Sequence, residues 1–285
     1  GQVKAAGRRN WGKVAEVLAL VDAARDEGLD VMADVYPYTA SSTMLRALLP
    51  DWALEGGIEA MLGRLADPDS RARIRREIES PTTGQSLVDR IGWENVMIAS
   101  SPKSRDAEGK RISEIAAGRK MEAVDAALEL LEAESGKGSM ILFQLDERDL
   151  RRALVHEAVM IGSDGSALAP GGAAAGKPHP RSYGTFPRVL GEYAREERLL
   201  SLAQAVHKMT GLPARRLGLK DRGVIAGGRR ADLVIFDPRR VGDRATYQEP
   251  HQYPSGIEHV LVNGSFVIKD GQHTGSLPGR VLTPA

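Results

Sequence analysis

The 285-residue chain is 42% hydrophobic and 27% charged, with 39 basic against 38 acidic residues and a formal net charge of +1. Those are the proportions of a globular chain able to bury a sizeable core, not of a nucleic-acid-binding or disordered one. The absence of cysteine excludes disulfides, thiolate nucleophiles and cysteine metal sites, and no apolar run reaches the roughly 18 residues of a membrane span.

With no charged-then-apolar leader at its start, the chain reads as cytoplasmic, without a nucleic-acid or membrane partner. It opens "GQVKAAGRRNWGK" and enters a helix at about residue 13, which leaves no room for an opening strand of normal length. Val14, Val17, Leu18 and Val21 recur at helical spacing and Gly28 stops the pattern, predicting a helix over 13–27. The stretch "VMADVYP" then predicts a buried strand over 31–36, broken into a turn by Pro37.

Residues 44–138 carry helical spacing at 54–65, 72–78 and 121–131, interrupted by the possible strand "NVMIASSP". This stretch reads as a mostly helical insertion. A strand "SMILFQL", a helix over 147–156 and the run "VMIGSDG" follow, restoring a strand–helix–strand alternation that favours α/β. The run "VMIGSDG" predicts a strand ending at Asp164, and such strand ends are where α/β folds collect their chemistry. A Gly- and Ala-rich loop at 165–178 follows; Gly171, Gly172 and Gly176 lack any phosphate-loop pattern, so the loop reads as a lid or as plain disorder. Leu202, Ala205, Val206 and Met209 share a helix face that ends at Gly211. From Gly223 the period turns β-rich, and Asn263-Gly264 between "HVLV" and "SFVIKDG" is a hairpin signal.

Seven segments occur here in one order: "KAAGRRNWGK", "DVYPYTASST", "MIGSDG", "HPRSYGTFPRVLGEYAR", "AVHKMTGLPARRLGL", "RRADLVIFDP" and "HVLVNGSFVIKDGQHTG". Together they resemble the N-acyl-D-amino-acid deacylases (D-aminoacylases) of the amidohydrolase superfamily, over nearly the whole chain. The resemblance implies an α/β fold: the later strands of a TIM-like (β/α)8 barrel at 1–43 and 139–222, a helical insertion at 44–138 and a small β module at 223–285. It implies hydrolysis of the linear amide of an N-acyl-D-amino acid with one or two zinc ions. It also implies that roughly half the barrel lies in a missing N-terminal half of the same enzyme.

The zinc ligands of that family are mostly histidines, including an HxH pair. The histidines here are His156, His179, His207, His251, His259 and His273, none in such a pair, and Gln2 and Val3 stand where the family has a ligand before the match to Lys4. By resemblance Asp164 is a metal ligand and the proton relay, Arg181 clamps the substrate carboxylate, and Lys4, Tyr36 and Ser42 surround the same substrate. A planar guanidinium suits a carboxylate because it can grip both oxygens. Each residue also has a plainer reading: Asp164 a turn cap, Arg181 a loop arginine, Tyr36 a strand-end aromatic, Ser42 a helix N-cap, Lys4 a solvated charge. His179 reads as structural, and Trp11, Trp52 and Trp93 as packing anchors. Two other functions stay open: a cyclic-amide hydrolase of dihydroorotase or hydantoinase type, and an inactive fragment or non-catalytic scaffold subunit.

Overall fold

The computed structural model describes residues 1–80, 86–170 and 176–282. Helix α1 (Val14–Asp26) buries Val14 and Leu18 of the predicted apolar stripe, leaves Val17 exposed, and gives way at Gly28, whose φ of 85° suits a residue without a side chain. Strand β1 (Ala33–Val35) follows. Five residues later the chain forms β2 (Ala40–Met44), a strand that its Ser- and Thr-rich sequence does not announce. Ser42 therefore lies inside a strand and is not a helix N-cap.

The helices of the excursion are α2 (Asp51–Leu54), α3 (Gly57–Ala66), α4 (Pro68–Glu79) and α5 (Leu87–Ile91). After β3 (Val96–Ser100) come α6 (Ile112–Arg119) and α7 (Ala123–Ala133), and β4 (Ser139–Phe143) closes the segment. Met61, Leu65, Ile74, Ile78, Leu128 and Leu131 are almost fully buried in one core shared by these helices. Trp52 and Trp93 pack against that core. The alternation of elements predicts that β4 joins the parallel strands, and it does not. It lies between β2 and β3 and pairs antiparallel with both, Ser42 opposite Ile141 and Met97 opposite Ile141. By this pairing residues 40–44 and 139–143 belong to one antiparallel sheet. Sequence periodicity reports which face of a strand is buried but not which strand it meets.

Helix α8 (Glu147–Val155) starts at Asp146, whose side chain accepts the N–H groups of Arg148 and Asp149, and leads into β5 (Val159–Ile161). Strand β5 runs parallel to β1, Ala33 opposite Val159. On the other edge of β1, Gln2 forms a parallel bridge to Asp34. The described residues thus hold a parallel arc, the strand pair β1–β5 extended by the single bridge at Gln2, and no closed barrel. Its core joins Val3, Val35, Leu154, Val159, Ile161 and Tyr193; truncating a leucine such as Leu154 to Ala would cost about 2–5 kcal/mol.

Beyond β5, α9 (Arg181–Arg188) continues through Pro187 into a π-helical stretch, Val189–Glu196, followed by α10 (Leu202–Met209) and α11 (Gly211–Arg216). The tail is an antiparallel sheet of β6 (Leu233–Phe236), β7 (Ile257–Val262), β8 (Ser265–Lys269) and β9 (Gln272–His273) in that spatial order. Asn263 and Gly264, at φ 50° and 80°, make the β7–β8 turn that the sequence predicts. No helix among the described residues is long and apolar enough to cross a membrane.

Candidate active site

Three of the residues singled out in the sequence lie at one end of the parallel arc. Lys4 follows the bridged residue Gln2, Tyr36 follows β1, and Asp164 stands three residues past β5. Parallel strands deliver these positions to the same carboxyl-terminal edge, the edge that carries chemistry in α/β barrels.

Asp164 has a φ of 48°, a left-handed conformation that Asp adopts more readily than most residues. The next residue has to be glycine for a different reason. A Cβ on Gly165 would sit 2.9 Å from Ser182 Cα and 3.0 Å from the Arg181 carbonyl oxygen. Close backbone approach therefore seats the loop after β5 on the first turn of α9, and Ser166 N–H donates to Ser182 Oγ at 3.2 Å. This contact joins "SDG" to "HPRSYG", and it brings Arg181 Nη1 to 2.8 Å from Asp164 Oδ2. The pair is an ion pair without an aligned N–H···O hydrogen bond, so the guanidinium fork is not closed by it.

The guanidinium of Arg181 stands 5.0 Å from the Tyr36 ring centroid, and Lys4 Nζ 5.2 Å from the same centroid. Two cations thus share one aromatic ring, and one of them is paired with the Asp164 carboxylate. Burial pushes the Tyr36 phenol up to about 12, against the pull of Arg181, so the hydroxyl stays a neutral donor. Its oxygen is buried with no hydrogen-bond partner among the described residues. Burial lowers the Lys4 ammonium from its ordinary value, opposed by the Asp164 carboxylate.

His179 is 3% exposed, and both ring nitrogens are engaged within the protein. Nδ1 accepts the Arg181 backbone N–H at 3.0 Å, so Nε2 carries the proton and donates to the Ala40 carbonyl at 3.0 Å. Burial, reinforced by Arg181, depresses its pKa to about 3 and keeps the ring neutral. The ring is wedged edge-on among Tyr36, Tyr38 and Tyr247 at 5.9, 5.1 and 5.2 Å. His179 is a positioning residue: it ties the start of α9, and hence Arg181, to β2.

Ser42 is held apart from this cluster, with no hydrogen bond or ion pair to it among the described residues. Its register opposite Ile141 places it on the β2 face that also carries Ala40, and Ala40 and Ile141 pack with Tyr247. Tyr38, Tyr247, Arg188 and Asp243 are additions that sequence reasoning missed. Arg188 donates to the Pro37 carbonyl at 2.9 Å, lies 3.3 Å from Asp243 and covers the Tyr38 ring at 5.1 Å. Asp243 and Tyr247 arrive from the tail, and no local pattern marks them. Of the loop predicted at 165–178, Gly171 and Gly172 lie outside the described residues.

Among the described residues no group of three or more His, Asp or Glu could hold a metal. Asp164 alone does not make a zinc site, which ordinarily takes three protein ligands.

A model described as the amidohydrolase family matches residues 9–268. This chain belongs to the amidohydrolase family. Curated amidohydrolases from Alcaligenes xylosoxydans xylosoxydans are similar to it. An N-acyl-D-glutamate deacylase is 41% identical over 96% of this chain and 45% of its own length. A D-aminoacylase is 37% identical over 98% and 47%. The chain therefore spans about half the length of the curated relatives it matches. Among solved structures, an N-acyl-D-glutamate deacylase from Bordetella bronchiseptica, complexed with zinc and a phosphonate mimic of the tetrahedral intermediate, superposes with a TM-score of 0.71. It is 35% identical over 93% of this chain and 45% of that one. A D-aminoacylase structure gives 0.71 at 36% identity over 96% and 47%. These neighbours are TIM-barrel amidohydrolases, and the parallel arc is the corresponding part of that barrel.

Proposed function

We propose that this chain supplies the carboxylate-binding and proton-relay part of a zinc-dependent hydrolase that cleaves N-acyl-D-amino acids to a carboxylate and a free D-amino acid. The observation that carries the reading is the Asp164–Arg181 pair over Tyr36 at the carboxyl edge of the arc. An N-acyl amino acid brings two demands to one place: its carboxylate must be met by a cation when it leaves water, and its amide nitrogen must be protonated to depart. Arg181 and Lys4 meet the first demand. Their guanidinium and ammonium lie on one ring, where the neutral Tyr36 hydroxyl adds a donor. Asp164, 43% exposed at the side chain, meets the second by accepting a proton and passing it to the leaving nitrogen. A substrate carboxylate on Arg181 would also draw the guanidinium away from Asp164 and leave that carboxylate free to act as base.

Zinc belongs to the proposal because the Bordetella relative holds it. Asp164 is the ligand proposed from the described residues, the remaining ligands being proposed to lie in the other half of the barrel. The partners proposed are thus a small N-acyl amino acid and that half, and the compartment proposed is the cytoplasm.

The test is an assay of the longest natural chain that contains this sequence, loaded with zinc, on N-acetyl-D-glutamate, N-acetyl-D-methionine and their L-enantiomers. Release of free amino acid from the D-forms alone is expected. Release from neither enantiomer, or from a cyclic amide instead, overturns the reading.

A further inference from the structure

Asp243 reaches the site from the tail and has no part in the chemistry proposed above. It lies in the connection between β6 and β7, with its side chain 14% exposed. Its approach depends on Gly184 of α9. A Cβ there would sit 2.7 Å from Asp243 Cβ and 2.6 Å from the Tyr38 hydroxyl, so a residue without a side chain lets both come this close to the helix. The residue that Asp243 meets on α9 is Arg188, which divides its guanidinium among three acceptors. Nε donates to the Pro37 carbonyl at 2.9 Å, Nη1 to Asp243 Oδ2 at 3.3 Å and Nη2 to Glu192 Oε1 at 2.9 Å. Burial works against this charge, and the Asp243 and Glu192 carboxylates more than offset it, so the pKa of Arg188 stands above its ordinary value.

The three acceptors are not equivalent. Glu192 stands at i+4 on the helical run that continues from Arg188, so that pair travels with the helix and fixes it to nothing else. The other two lie elsewhere in the chain: Pro37 directly follows Tyr36, and Asp243 belongs to the tail. Arg188 follows Arg181 on α9 by about two helical turns, and it therefore ties the helix of Arg181 to the turn that carries Tyr36. The start of α9 is tied separately, through His179 to the Ala40 carbonyl. The 5.0 Å approach of the Arg181 guanidinium to the Tyr36 ring spans the same helix and the same turn. The tail touches both ties, with Asp243 on Arg188 and the Tyr247 ring 5.2 Å from that of His179.

We infer that Asp243 is a positioning residue of the substrate site: by holding Arg188 on the Pro37 carbonyl it fixes the spacing of Arg181 and Tyr36, and so the grip on the substrate α-carboxylate. The inference rests on the function proposed above and makes the tail a working part of that site. Without the Asp243 carboxylate, Arg188 keeps Glu192 as its counter-charge and swings toward it, which loosens the bond to Pro37. No buried charge is then left uncompensated, so the fold survives while the site loses its geometry.

The experiment measures steady-state kinetics of the longest natural chain that contains this sequence, loaded with zinc. The substrates are an N-acetyl-D-amino acid and the matching N-acetyl amine, which keeps the amide and lacks the carboxylate. Asp243→Ala should raise KM for the amino acid by about 10- to 100-fold, the scale of a positioned group displaced by about 1 Å. Its kcat should hold, the pattern of binding lost equally from ground state and transition state. Kinetics on the amine and the melting temperature should also hold. Asp243→Asn, which keeps an acceptor for Arg188, should restore part of the loss. Arg188→Lys should reproduce the rise in KM, because an ammonium lacks the fork that reaches Pro37 and Asp243 together. An unchanged KM in Asp243→Ala, or an equal loss on the amine, would overturn the inference and leave the function standing. Should Asp243→Ala fold poorly, Asp243→Asn and Arg188→Lys decide the matter by the same two substrates. A wild type that cleaves no N-acyl-D-amino acid defeats the function and this inference together.

Discussion

Lys208 Nζ donates a 2.8 Å hydrogen bond to the carbonyl of Val159, the first residue of β5, and a second one to the carbonyl of His156. A buried lysine on α10 thereby holds the start of the strand whose far end delivers Asp164. Burial depresses its pKa to about 8. Between about 8 and the ordinary 10.5 the unfolded chain binds more protons than the folded one, so this group makes stability rise with pH across that window. Lys208→Met should orphan both carbonyls and destabilise by about 1–3 kcal/mol. Thermal melts of both proteins should diverge further from pH 8 to pH 10. A constant gap would show that Lys208 carries its proton equally in both states.

His179 has the complementary signature at acid pH. Its folded pKa of about 3 lies below the unfolded 6.5, so the unfolded chain takes up the proton first as pH falls. The stability it confers is complete above 6.5 and drains away toward 3. His179→Gln should flatten that part of the melting-temperature profile and disturb Arg181, whose backbone N–H loses its acceptor. Profiles that stay parallel would remove the buried neutral ring from the account.

In the complete enzyme Asp164→Asn should lower turnover by about 100-fold or more, the scale of a lost general base. Folding should be untouched, since the side chain is 43% exposed and the Asn amide can remain beside Arg181. Near-normal turnover would take Asp164 out of the reaction.

Arg181→Ala should reduce kcat/KM on an N-acyl-D-amino acid by about 2–5 kcal/mol, the range for one truncated partner of a desolvated charge pair. The control is the matching N-acyl amine, which has the amide but no carboxylate and should lose little more in the variant. Equal damage to both substrates, or a collapse in melting temperature, would make Arg181 a support for α9 alone.

Residues 1–285 on their own should hold far less than one zinc per chain after dialysis, because the described residues contain no three-ligand cluster. Stoichiometric zinc that survives brief chelation would point to ligands elsewhere in the chain.

Helix α1, β1, β5 and the Asn263-Gly264 turn were legible in the sequence because each follows from local chemistry: an apolar stripe at helical spacing, a buried run before Pro37, a run stopping at Ser163-Asp164-Gly165, a pair of residues suited to positive φ. Asp164, Arg181, Lys4 and Tyr36 were legible as candidates through the ordered motifs around them. What held them together was not. The contact of Gly165 with α9, the histidine that fixes Arg181 to Ala40, and the arrival of Asp243 and Tyr247 from the tail join residues far apart in the chain. The strand β2 was invisible for the same reason. Its sequence "ASSTM" has little intrinsic strand character, and it is extended because β4 offers it a ladder of hydrogen bonds. That ladder also turns Ser42 and Ile141 to one face, a decision that belongs to register and so to the tertiary structure alone.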